Sequence, residues 1–138
     1  MLIMAKSDIL FYPTVLTVDE SENNVVNVRV PDVGAVTFGA DYQEAMLMAL
    51  DAVGVMLEDT VDYPKPSNPE DVQLEDWETP QNTQVIMVAY DMAAYRRTLS
   101  KTVRRNISIP EYLNNIAKKQ NVNVSKVTTD ALESILLG

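Results

Sequence analysis

The sequence predicts an α+β protein in two parts: a small antiparallel sheet with one packed helix, then a strand and two short helices. Three observations lead there. Through the first two thirds of the chain, short runs of β-branched and aromatic residues are separated by polar or Pro/Gly turns, the pattern of hairpins. One segment among them repeats apolar residues at three- and four-residue spacing, the period of an amphipathic helix. The charge also divides. Residues 1–95 hold three basic residues (Lys6, Arg29 and Lys65) against seventeen acidic ones, a net of −14, whereas residues 96–138 hold eight against three, a net of +5. An asymmetry of this size points to separate tasks, and the mild total of −9 conceals it.

Composition narrows the chemistry. A length of 138 residues fits one domain or two small ones, and 46% hydrophobic with 22% charged residues is a folding composition. There is no cysteine, hence no disulfide, thiolate nucleophile or Cys-ligated metal. There is no histidine either, which removes the commonest general base and metal ligand. Met1–Ala5 is too short for a signal-peptide core, and no apolar run reaches the roughly 18 residues of a membrane span. The expected compartment is the cytoplasm.

The elements follow in order. Asp8 to Val18 reads as a strand, with Pro13 marking an edge position or bulge. The polar cluster Asp19–Asn24 turns the chain into Val25–Val30, which alternates around Asn27 and Arg29 and completes a hairpin. Pro31–Gly34 is a second turn, and Ala35–Phe38 a third strand ended by Gly39. Asp41-Tyr-Gln-Glu44 has the form of a capping box. After it, Ala45, Met46, Ala49, Leu50, Val53, Met56 and Leu57 mark an amphipathic helix of about 16–18 residues that lies across the sheet. Its methionines Met46, Met48 and Met56 read as core filler. Tyr63–Pro69 breaks regular structure, and the acidic stretch Glu70–Glu78 continues as a loop. Gln84–Tyr90 is nearly continuously apolar and reads as a strand in the middle of the sheet. The boundary between the two parts falls near Ala93–Arg97, giving domains 1–95 and 96–138.

Beyond it, Val103–Ile109 alternates: Val103, Arg105, Ile107 and Ile109 face one way, Arg104, Asn106 and Ser108 the other. Pro110 suits the first position of a helix running to Gln120, with Lys118 and Lys119 at its C-terminal end. Asn121–Asn123 turns the chain into a second helix from Val124 to Leu137. One strand and two short helices cannot bury a core alone, and a lone strand leaves its ladder unpaired. Both deficits vanish when two chains pair strands and interlock helices, the ribbon-helix-helix plan, in which the two-stranded ribbon enters the DNA major groove. Arg104, Asn106 and Ser108 then face base edges. Arg105 sits on the helix side near the strand start and reaches a phosphate. Ser125 and Lys126, at the start of the second helix, offer a further phosphate corner.

The chain resembles one family along nearly its whole length. Tyr12-Pro-Thr-Val-Leu16, Val28-Arg-Val-Pro-Asp32, Gly34-Ala-Val-Thr-Phe-Gly39 and Asp41-Tyr-Gln-Glu-Ala45 look like the N-terminal signature of the HicB antitoxins of bacterial toxin–antitoxin pairs. Ile109-Pro-Glu-Tyr-Leu-Asn114, Val124-Ser-Lys-Val127 and Asp130-Ala-Leu132 are similar to the ribbon-helix-helix tail that many members carry. The resemblance implies a partial RNase H-like N-terminal domain that binds a HicA-type toxin, a small basic mRNA interferase. It also implies a C-terminal domain that forms a homodimer and represses its own operon at an operator in double-stranded DNA, with no cofactor and no metal. An acidic cover suits a basic partner, so Asp19, Glu20, Glu22 and the Glu70–Glu78 stretch, with Glu75, Asp76 and Trp77, form the expected toxin-binding face. Higher oligomers through the N-terminal domains are left open. Two other readings compete: a ribbon-helix-helix regulator with a ligand-sensing N-terminal domain, and a nuclease using Asp8, Asp32, Glu44 and Asp51 as a two-metal cluster. Turn and cap positions give those carboxylates ordinary structural reasons, and the expected role is not enzymatic.

Overall fold

The computed structural model describes residues 8–98 and 101–138. Four strands, β1 (Ile9–Asp19), β2 (Val25–Val30), β3 (Ala35–Gly39) and β4 (Thr83–Asp91), form one antiparallel sheet in the order β3-β2-β1-β4. Helices α1 (Tyr42–Leu57), α2 (Met92–Thr98), α3 (Glu111–Lys119) and α4 (Val124–Leu136) complete the α+β architecture. The chain divides between residues 100 and 101 into two compact units.

The hairpin turns have local causes. The Asp19 carboxylate accepts from the Ser21 N–H at 3.0 Å and its hydroxyl at 2.6 Å, starting a single 3-10 turn over Glu20–Glu22. Asn23 and Asn24 then take left-handed backbone at φ 57° and 60°, which asparagine tolerates better than most residues. Pro13 stands before Val15, where pairing with β2 begins. The Val18 N–H to Asn82 carbonyl bond fixes even-numbered β1 residues towards β4 and odd ones away. The missing N–H of Pro13 thus falls on the free side of β1, the edge position expected of it.

Alternation puts Tyr12 and Leu16 of β1, Val26, Val28 and Val30 of β2 and Tyr90 of β4 on one face. There they pack with Ala45, Ala49, Val53 and Leu57 of α1, and each fully buried valine contributes about 1.5–3 kcal/mol. The Asp41 carboxylate caps α1 through the Glu44 N–H at 2.8 Å. The small Ala45 and Ala49 let the helix lie close, and Gly39 meets its first turn where a side chain would collide with the Ala45 backbone. Buried hydroxyls are paired: Tyr12 donates to the Pro64 carbonyl at 2.8 Å, and Thr14 and Tyr90 share a 2.7 Å bond.

In the first unit three expectations change. The apolar strand β4 is an edge, pairing among the described residues with β1 alone, because β1 takes the centre between β2 and β4. Met48 and Met56 are exposed, so of the helical methionines only Met46 reaches the core. The segment read as a boundary is helix α2. Asp91 accepts from the Ala94 N–H at 3.0 Å, Met92 and Tyr95 are buried, and Arg96 donates to the Tyr63 hydroxyl at 2.7 Å and faces Asp8. The division between units therefore lies beyond Arg96.

In the second unit the strand expected over Val103–Ile109 is not formed: residues 101–110 are neither helix nor strand, and alternation alone makes no ladder without a partner strand. Pro110 is the N-cap of α3 rather than its first residue. Asn121, at φ 54°, turns the chain, and Asn123 caps α4 by accepting from the Lys126 N–H at 3.0 Å. No residue from Lys101 to Gly138 is buried; Val103, Ile107, Leu113, Ile116, Leu132 and Ile135 are all exposed.

Gly54 supplies a prediction of unusual sign. Glycine to alanine inside a helix ordinarily stabilises by about 1 kcal/mol, but a Cβ here would lie 2.3 Å from the buried Tyr95 ring. Gly54→Ala should instead destabilise the chain by about 1–3 kcal/mol in denaturant titration; a gain in stability would contradict the packing of α2 on α1.

Candidate functional sites in the acidic and basic units

The outer face of the sheet, opposite α1, is organised by one ion pair. Arg29 alternates outward from β2, and its guanidinium forks onto Glu78, with Nη2 to Oε1 at 2.6 Å and Nε to Oε2 at 3.0 Å. Nη2 also donates to the Gln73 carbonyl at 3.0 Å, and Glu78 Oε1 accepts from the Glu75 N–H at 2.8 Å. The Glu78 side chain is fully buried. Burial would raise its carboxyl; the Arg29 hydrogen bond, the Glu75 N–H and the guanidinium charge together outweigh that and hold it below the usual carboxylate range. A buried carboxylate of this kind persists because each oxygen is bonded.

This pair draws the acidic loop onto the sheet. A second clamp sets the segment before it, where Asp32 accepts from the Ser67 N–H and hydroxyl, both at 2.7 Å. Between the loop and the end of β1 lies an open cleft of 410 Å³ lined by Asp19, Glu20, Trp77, Thr79 and Asn82, among others. Three of the residues expected at a toxin-binding face, Asp19, Glu20 and Trp77, thus share one cleft. Glu22, Glu75 and Asp76 are exposed nearby in sequence. Trp77 is half exposed, and an aromatic face beside carboxylates attracts a guanidinium or ammonium group. Glu78 leaves the expected acidic face, because Arg29 takes it into the interior. Sequence reasoning passed over that pair, although Arg29 is the only arginine before Arg96.

The four carboxylates weighed for a metal do separate work. Asp8 faces Arg96, Asp32 holds Ser67, and Glu44 and Asp51 are exposed on α1. Among the described residues no group of three or more ligating side chains gathers.

In the basic unit Arg104, Arg105, Asn106 and Ser108 are all exposed, on the segment without a ladder. Ser125 is exposed in the first turn of α4. Lys126 is engaged twice: its N–H with the Asn123 cap, and its Nζ with Asp130 at 2.9 Å, which raises the ammonium above the ordinary lysine range. A phosphate reaching Lys126 would compete with Asp130. No helix among the described residues is long and apolar enough to cross a membrane.

The chain thus holds an acidic unit with a clamped loop and an open cleft, and a basic helical unit without a buried residue. The profile of the HicB-like antitoxins of bacterial toxin–antitoxin systems matches residues 12–131, and the chain belongs to that family. Among curated proteins no match is found.

The clamp predicts an acid-sensitive loop. A carboxyl whose folded value lies below its unfolded one, near 4.3 for glutamate, contributes fully above that unfolded value and loses its contribution as pH falls through the lower folded one. Emission from Trp77, the single tryptophan, should therefore report loop release below about pH 4. Arg29→Ala should release the loop already at neutral pH and cost on the order of 2–3 kcal/mol, below the full value for a buried pair because the guanidinium is partly exposed. Unchanged Trp77 emission in that variant would contradict the clamp.

Proposed function

We propose that this chain neutralises a HicA-type toxin through its acidic unit and represses its own operon by binding operator DNA through its basic unit. In this reading the N-terminal unit is a partial RNase H-like domain, and the C-terminal unit is half of a ribbon-helix-helix homodimer. The observation that carries the reading is that opposite charges fall on separate compact units, in a chain belonging to an antitoxin family. A net of −14 over residues 1–95 favours a basic protein partner, speeding encounter and disfavouring wrong ones. Asp19, Glu20, Glu22, Glu75, Asp76 and Trp77 are the residues we assign to that contact.

The basic unit supports its half of the reading by what it lacks. With Ile107, Ile109, Leu113, Ile116 and Leu132 exposed and nothing buried, it has apolar surface of the kind a second copy covers. Pairing Val103–Ile109 of two chains would present Arg104 to guanine, Asn106 to adenine and Ser108 to either, with Arg105, Ser125 and Lys126 on phosphates.

Arg104→Ala should lower operator affinity by about ten- to a hundredfold per half-site in a mobility-shift assay while leaving toxin neutralisation intact; normal promoter binding would overturn the ribbon assignment. Toxin affinity of the full chain should fall as salt is raised. An affinity indifferent to salt would remove the electrostatic argument.

A further inference from the structure

The cleft between the acidic loop and the end of β1 has walls of two kinds. One is polar and already satisfied. Asn82 Oδ1 accepts from the Thr79 N–H at 2.9 Å, the Thr79 hydroxyl at 2.8 Å and the Thr83 hydroxyl at 2.8 Å, and Thr83 shares a 3.2 Å bond with Thr17. The other wall is unsatisfied. Asp19 gives Oδ1 to Ser21 and keeps Oδ2 uncommitted, and the Glu20 carboxylate has no hydrogen-bond or ion-pair partner among the described residues. Among those residues no basic side chain lines the cleft. Arg29 is engaged with Glu78, and Arg96 with Tyr63 and Asp8. The charge that balances Asp19 and Glu20 is therefore not supplied from within the cleft.

Trp77 stands in the same cleft on fixed backbone. It precedes Glu78, which Arg29 clamps, and Thr79, whose N–H is bonded to Asn82, so its half-exposed indole is held from one side. An aromatic ring fixed beside unpaired carboxylates leaves little to order when a ligand arrives.

We propose that this cleft takes one arginine side chain of the basic toxin, its guanidinium stacked on Trp77 and its N–H groups turned to Asp19 and Glu20. The proposal rests on the toxin-binding reading above and goes from a charged face to a single anchor residue on the partner. Charge complementarity selects a cation, and shape selects arginine over lysine. A planar guanidinium lies on the indole while its in-plane donors fork to carboxylates at the rim. An ammonium has no plane to stack and holds its hydration more tightly.

A double-mutant cycle between the full chain and a HicA-type toxin, with affinities from calorimetry, tests this. Trp77→Leu keeps an apolar wall but removes the π face, and should weaken binding about three- to thirtyfold. Replacing each toxin arginine by lysine in turn should find one whose loss is of similar size. With that arginine replaced, Trp77→Leu should cost about twofold or less, because both changes remove the same contact. Trp77→Phe should retain part of the affinity, since a phenyl ring still attracts a cation. Asp19→Asn combined with Glu20→Gln removes the charge but keeps the acceptor for Ser21, and should couple to the same arginine. Unchanged affinity in Trp77→Leu, or losses that simply add for every toxin arginine, would overturn the proposal while leaving toxin binding in place. A toxin that does not bind the full chain would overturn both readings, so the two failures are distinguishable.

Discussion

The acidic unit depends on one guanidinium. Its acidic loop carries Glu70, Asp71, Glu75, Asp76 and Glu78, and it lies on a unit whose own charge is strongly negative. Nothing in simple electrostatics favours that placement until Arg29 offers a fork that two carboxylate oxygens and a carbonyl can fill. With Glu78 consumed in the interior, the remaining acids and Trp77 are held outward, and Val15 and Thr17 are buried on the outer face of the sheet. The same pair that covers the sheet thus displays the surface assigned to the toxin. Removing a partner from a buried pair costs more than the pair contributes against a neutral replacement, which makes Arg29 a structural necessity and a poor position for change.

The two units differ in completeness. The acidic unit has a closed core between α1 and the sheet, with β4 as one edge strand. The basic unit has helices with apolar faces and no interior at all. Small units that cannot bury enough surface alone are completed by association. In the proposed function the two tasks divide along the same line, since a surface for a cation-rich protein and a surface for phosphate repel each other's ligands. Separate units would let both surfaces work on one chain.

Much of this was legible in the residues. Period-two runs gave the first three strands, and the three- and four-residue spacing with the Asp41 cap gave α1. The family, too, was readable from order and spacing of short motifs. What escaped were choices between distant partners. The apolar run of β4 is the same whether a strand lies at the centre or at an edge, so local pattern placed it wrongly. Arg29 and Glu78 are 49 positions apart, and each looks like an ordinary surface charge until the loop closes. Met48 and Met56 satisfy helical spacing, but α1 packs through the narrower stripe of Ala45, Ala49 and Val53. Helix α2 was hidden because the change of charge at Arg96 drew the boundary through it, while Gly54 and Tyr95 bind it to the first unit.

The central claim is that one chain carries two ligand surfaces on two units. Hydrogen exchange of the full-length protein, measured alone, with a HicA-type toxin, and with operator duplex, tests it most directly. The account predicts that toxin slows exchange at Asp19–Glu22 and Glu75–Trp77 while leaving Arg104–Ser108 and the start of α4 unchanged. Operator DNA should produce the reverse. Protection by the toxin confined to the basic unit, or the same segments protected by both ligands, would contradict it.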